Sequence, residues 1–182
     1  MPERVTTAFR VRAMTTEDIP QVMAIDAASF AMPWPEHAYQ FEVERNKVSF
    51  AFVAEEPENG RIVGMAVVWL LLDEVHIATI GVHPAWRRRG VGRLLLASAL
   101  LKSLRYGAET ATLEVRVSNE AAQALYRQFG FEIAGRRPRY YNDNNEDALL
   151  MTAYSLDEAF LRRQVAGSLT ETIVNAGDAD AR

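Results

Sequence analysis

The chain has 182 residues, 49% of them hydrophobic and 24% charged, a mixture suited to one soluble domain with a sizeable core. Twenty Lys and Arg against twenty-four Asp and Glu leave a net charge of −4, which argues against a polyanion such as nucleic acid as the main partner. The absence of cysteine excludes disulfides, thiolate metal sites and a cysteine nucleophile. No apolar run reads as a signal peptide or a bilayer span, so a cytoplasmic setting is expected, with no membrane partner.

Phe9 to Met14 reads as a short strand, and Thr15-Thr16-Glu17-Asp18 offers a capping box ahead of a helix with Ile19, Val22, Met23 and Ile25 at helical spacing. An aromatic loop, Ser29 to Pro35, is broken by two prolines before a second helix from Glu36 to about Glu44. Val48 to Glu55 and Ile62 to Leu72 form the arms of an antiparallel hairpin around Pro57-Glu58-Asn59-Gly60. Val75 to Val82 is another strand, followed by a helix to about Tyr106. Thr110 to Val117 alternates like a half-covered strand, and a helix from Ser118-Asn119 reaches Phe129. Strands near Phe131 to Arg137 and Ala148 to Tyr154 flank a polar loop containing Tyr140 and Tyr141. A short helix is expected from Asp157, and the closing NAGDADAR reads as disordered. The order is mixed α/β, without repeats.

The strand-to-helix connection His83-Pro84-Ala85-Trp86-Arg87-Arg88-Arg89-Gly90-Val91-Gly92-Arg93 concentrates cations and glycines at a helix start. Unpaired amides and the helix dipole make such a start an anion site, and glycines let backbone approach the ligand. The amides of Arg89, Gly90, Val91, Gly92 and Arg93 could wrap a pyrophosphate, with Arg87, Arg88 or Arg93 adding charge. A Walker loop fails for lack of Gly-Lys-Ser/Thr, and a dinucleotide fingerprint fails because Leu95 stands where a third glycine belongs. A solvated turn with arginines for solubility stays open.

This loop resembles the Arg/Gln-x-x-Gly-x-Gly/Ala loop of the GCN5-related N-acetyltransferase (GNAT) superfamily, which holds the pyrophosphate of acetyl-CoA. Leu113 to Ala122, Ala124-Leu125-Tyr126 and Phe129-Gly130-Phe131 are similar to the second half of that family's core. Arg136-Arg137, Tyr140-Tyr141, Glu146-Asp147-Ala148 and Pro33-Trp34 resemble the ribosomal-protein-alanine N-acetyltransferase (RimI) branch. The resemblance covers residues 8–156, taken as the domain, with 157–182 as a C-terminal helix and disordered tail. Ala31-Met32 and Pro138-Arg139 depart from the pattern on the acceptor side. The resemblance implies a central, mostly antiparallel sheet splayed in the middle and flanked by helices, with acetyl-CoA as co-substrate and no metal.

Acetyl transfer to an amine needs a neutral nucleophile, stabilisation of an oxyanion and a proton for the thiolate. By resemblance, Ile80, Gly81 and Val82 lie on a bulged strand whose amides meet pantetheine, and a mid-strand glycine also fits a bulge physically. The resemblance implies Glu114 as general base through a water, Tyr126 as the acid for the thiolate, and Asn119 as a pantetheine contact. Seven residues apart, Asn119 and Tyr126 share a helix face. Other readings of these three are a strand glutamate paired with Arg116 or Arg136, a packing tyrosine and a helix cap. Phe30, Trp34, Tyr140 and Tyr141 are candidates for an aromatic slot gripping a peptide terminus, although aromatics also build cores. His37, His76 and His83 are too scattered for a metal site and read as surface or packing residues.

The function implied is direct transfer from acetyl-CoA to the N-terminal alanine of a small-subunit ribosomal protein. A small amine or lysine acceptor, or a non-catalytic acyl-CoA-binding module, are the alternatives.

Overall fold

The computed structural model describes residues 9–166. Residue 8, the first of the domain read above, and the whole of NAGDADAR lie outside the described residues. In chain order the elements are β1 (Arg10–Ala13), α1 (Ile19–Ser29), α2 (Glu36–Glu44), β2 (Ser49–Glu55), β3 (Ile62–Leu71), β4 (Glu74–Val82), α3 (Val91–Arg105), β5 (Thr110–Arg116), α4 (Glu120–Gln128), β6 (Glu132–Tyr141), β7 (Glu146–Ala153) and α5 (Glu158–Val165). One sheet runs β1-β2-β3-β4-β5-β7-β6. Its neighbours are antiparallel except β4 and β5, giving the mixed, mostly antiparallel arrangement expected.

Both faces of the sheet are covered. On one, Ile19, Val22 and Ile25 of α1 and Tyr39 of α2 pack over Val53, Met65 and Val67. On the other, Leu95, Leu96 and Leu100 of α3 pack over Ala54, Ala66 and Val68. Because β3 is apolar on both sides, its sequence reads as one continuous run instead of alternating. The start of α1 is fixed as the capping pattern predicts: the Thr15 amide donates to Asp18 Oδ2 at 2.8 Å, after which one 3₁₀ turn leads into the helix.

The final hairpin departs from expectation. β6 continues to Tyr141, so Tyr140 and Tyr141 stand on a strand, and the connecting turn is only residues 142–145. The strand expected to end near Arg137 runs on through Pro138 because β6 is the edge of the sheet, where a missing N–H need not cost a ladder bond. The ladder shifts register between Arg137 and Tyr141, and the Arg139 amide is held instead by Asp147 Oδ1 at 2.7 Å. The short helix expected after Asp157 is present as α5. Leu161 is buried against α3, and Phe160 meets Phe129 edge to face at 5.3 Å.

Candidate active site

β4 and β5 pair over only three residues, Glu74–His76 with Thr110–Thr112, and then separate. Past that point the facing edges have no strand partner, and a cleft of about 290 Å³ opens between Ile77–Ile80 and Leu113–Arg116. β4 turns away through a bulge. Val67 pairs with Thr79 and Val68 with Ile77, leaving Ala78 as the extra residue. The bulge expected at Gly81 is therefore displaced to Ala78, while Gly81 pairs regularly with Met65. Glycine serves another purpose at 81: a Cβ there would lie 3.2 Å from the Phe30 ring and 3.3 Å from the end of Met65. It lets the aromatic loop press onto β4.

Seven of the predicted site residues meet at this cleft: Phe30, Trp34, Ile80, Glu114, Asn119, Tyr126 and Tyr141. Tyr140 does not join them. It is half exposed and absent from the cleft lining, and its ring meets Tyr141 edge-on at 5.2 Å where the β6 ladder is irregular. Glu114, on β5, is largely shielded, with Oε2 at 3.4 Å from His76 Nε2 and Oε1 at 3.4 Å from an Arg137 amino nitrogen. Its partners are thus neither Arg116, which turns to Asp143 and Glu146, nor Arg136, which turns to Asp147.

Tyr126 comes from α4, its ring 5.8 Å from Phe131. Burial, with a smaller contribution from Tyr141, pushes its hydroxyl pKa well up, so the group keeps its proton. Asn119 Oδ1 caps α4 by accepting from the Ala122 amide at 3.2 Å, and it still borders the cleft.

Three further residues shape the aromatic side of the cleft. The Trp34 ring stacks on Trp69 at 6.4 Å, and Trp69 stacks on His76 at 5.6 Å, so a row of rings runs to Glu114. Asp26, 1% exposed, accepts from the Trp34 amide at 2.7 Å and fixes the aromatic loop from beneath. Burial raises the Asp26 pKa against the opposing effect of the Trp34 amide. His76 and Asp26 could not have been found locally. The first needs the β4–β5 register, the second the folding of α1 under the loop.

The arginine-glycine loop follows β4. Gly90 takes φ +86 at the N-cap of α3, a left-handed conformation that favours glycine. No side chain caps α3, and among the described residues the amides of residues 88–93 have no backbone acceptor. No Asp or Glu occurs between His83 and Ala108. Free amides and local cations without an opposing carboxylate fit a pyrophosphate. The side chains divide: Arg87 Nε donates to the Val82 carbonyl at 3.1 Å, and Arg89 covers Trp86 at 4.8 Å. Arg93 turns to Gln128 of α4 and, at 2.8 Å, to Gln164 of α5. Arg93 thus offers the loop its amide while its guanidinium ties helices together, and Arg88 adopts φ +63. Gly92 lies close to Val82 and Leu125, where a Cβ would just fit at 3.6 Å.

Residues 19–131 match the model of the acetyltransferase (GNAT) family. The chain belongs to that family. An Escherichia coli (strain K12) [ribosomal protein bS18]-alanine N-acetyltransferase is 34% identical over 143 residues, covering 78% of this chain and 94% of the relative. The N-alpha-acetyltransferase RimI of Mycobacterium tuberculosis is 36% identical over 153 residues, covering 81% and 93%. The crystal structure of the ribosomal-protein-S18-alanine N-acetyltransferase from Escherichia coli superposes with a TM-score of 0.73 at 32% identity, covering 82% of this chain and 96% of that one. Within the GNAT family the chain stands close to the RimI branch. Among the described residues no helix is long and apolar enough to cross a membrane, and no group of three or more His, Cys, Asp or Glu could hold a metal.

Proposed function

We propose that this GNAT protein acetylates the α-amine of an N-terminal alanine, with a small-subunit ribosomal protein as the acceptor. The observation that carries this reading is the placement of Glu114 at the parting of β4 and β5, beside an aromatic wall on one side and Tyr126 on the other. The alanine acceptor is supported by the similarity to the bS18-alanine enzyme.

Acetyl-CoA supplies the acetyl group as a thioester. Its pyrophosphate belongs at the amides of residues 89–93 and the cations of Arg87, Arg88 and Arg89, and its pantetheine arm along Ile80, Gly81, Val82 and Asn119. Glu114 takes the proton the amine gives up as its nitrogen bonds to the acetyl carbon, and Tyr126 gives a proton to the departing sulfur. With no cysteine in the chain to carry the acetyl group, transfer is direct. A peptide α-amine has a pKa near 8 against about 10.4 for lysine, so at neutral pH its neutral fraction is roughly 10²-fold larger. A single carboxylate base suits that amine. Phe30, Trp34 and Tyr141 would flank the chain end.

Incubation with acetyl-CoA and a peptide carrying a free N-terminal alanine and internal lysines tests the reading. Mass spectrometry should find one acetyl group on the terminus, and terminal blocking should abolish it. Acetylation mainly on lysine, or transfer only to a polyamine, would overturn the N-terminal acceptor. Absence of turnover with every amine would favour a non-catalytic acyl-CoA-binding module.

A further inference from the structure

Arg116 ends β5 at the lip of the cleft, and the chemistry above gives it no part. One amino nitrogen of its guanidinium meets Asp143 Oδ1 and Oδ2 at 2.9 and 3.0 Å, and the other meets Asn144 Oδ1 and Glu146 Oε2, each at 3.1 Å. All three acceptors belong to, or directly follow, the turn joining β6 to β7. Glu146 closes the network, because its Oε1 accepts from the Ser118 amide at 2.8 Å at the entrance to α4. The Tyr141 ring lies 3.8 Å from the guanidinium carbon.

Tyr141 needs this support. It pairs with Glu146 across a register shift that follows Arg137, so no regular ladder leads up to it. Scattered surface ion pairs contribute little, but here one planar fork gathers two residues of a single short turn and the one directly after it, and stacks on the ring. The side chains of Arg116, Asp143 and Glu146 are 22%, 23% and 17% exposed, which limits screening by solvent. Hydrogen bonds from Ser118 hold the Glu146 carboxyl down at about 2, so Glu146 stays ionised at neutral pH.

We propose that Arg116 is a positioning residue for acceptor selection, which by clamping the 142–145 turn fixes Tyr141 as the outer wall of the cleft and restricts the acceptor's first side chain to a small one. The opposite wall is already set, with Asp26 holding the Trp34 amide and Gly81 receiving Phe30. A clamped Tyr141 leaves the cleft no freedom to widen, whereas a released one lets a bulkier first residue enter and holds a small one less well. This rests on the reading of the acceptor as a peptide terminus.

The test uses the full chain and its Arg116→Lys and Asp143→Ala variants, with acetyl-CoA and peptides that differ only in a first residue of alanine or leucine. Lysine keeps the charge but cannot bridge the same acceptors. Asp143 is on the turn and outside the cleft lining, so its variant decides the matter if Arg116→Lys does not fold. In both variants KM for the alanine peptide should rise about tenfold and the preference for alanine over leucine should narrow about tenfold, the scale of small steric discriminations. At the same time kcat and KM for acetyl-CoA should stay within about twofold. Unchanged peptide KM and preference in Asp143→Ala, or a loss confined to kcat, overturns the proposal while leaving the acetyltransferase reading intact. A wild-type chain that acetylates no peptide would instead overturn that underlying reading.

Discussion

Glu114 and Tyr126 border one cleft from different elements, and their surroundings suit opposite ends of a proton transfer. The Glu114 carboxylate is shared between His76 and Arg137 at 3.4 Å each, contacts that aim it without burying it completely. Tyr126 is only 7% exposed, and burial keeps it in the protonated form an acid requires. Tyr126→Phe should retain acetyl-CoA affinity and lower kcat by roughly 10²-fold, and Glu114→Gln should lower it by roughly 10² to 10⁴-fold. Calorimetry and steady-state kinetics check both, and full activity in the phenylalanine variant would leave Tyr126 as a packing residue. Because its pKa is raised, Tyr126 loses its proton only above the ordinary tyrosine value of about 10, so it should cause no alkaline fall in rate below that pH. That both would reach this cleft was legible because they lie in recognisable local strings. His76 was not, since its meeting with Glu114 depends on where β4 leaves β5, and the turning of the Arg93 side chain to α4 and α5 is equally non-local.

At the scale of elements, the cleft follows from one strand changing direction. Three parallel pairs hold β4 to β5, the bulge at Ala78 re-aims the rest of β4, and the strand ends at the loop that starts α3. The proposed acceptor and cofactor groups are thereby spaced along one strand. The loop can be tested at Gly90, where a Cβ meets no atom within 4 Å, so the body of the fold should tolerate a substitution. Gly90→Asp combines left-handed strain of about 1–3 kcal/mol with a carboxylate at the proposed pyrophosphate position. Acetyl-CoA affinity by calorimetry should fall at least about tenfold, a loss of about 1.4 kcal/mol. Unchanged affinity would remove the loop from the cofactor site. Arg87 is a poorer probe, since its contact with the Val82 carbonyl makes its removal a change in β4 as well. Helix starts were readable from Thr15 to Asp18 and from Asn119, where capping chemistry is local. The extent of β6 was not, because Pro138 is tolerated only through a position at the sheet edge that no local pattern records.

In the whole molecule, the mixed α/β class was readable from the order of elements, whereas the sheet flanked by helices and splayed at its centre followed only from the family resemblance, since the parting is a property of pairing between strands distant in sequence. The docking of α5 is likewise non-local, and it bears on how far the domain extends. Leu161 is 2% exposed, Phe160 covers Phe129, and Gln164 accepts from Arg93 in the first turn of α3. We propose that the domain runs through α5 instead of stopping at residue 156. Leu161→Ala should then lower unfolding free energy by about 2–5 kcal/mol, the range for truncating a buried leucine, whereas a surface appendage would change it by no more than about 0.5 kcal/mol. The midpoint of a urea titration reads this directly. Since α5 packs on α3 and the lining of the acceptor cleft comes from other elements, the folded Leu161→Ala protein should keep its preference among acceptor peptides. A stability change below about 0.5 kcal/mol would place the end of the domain back before α5.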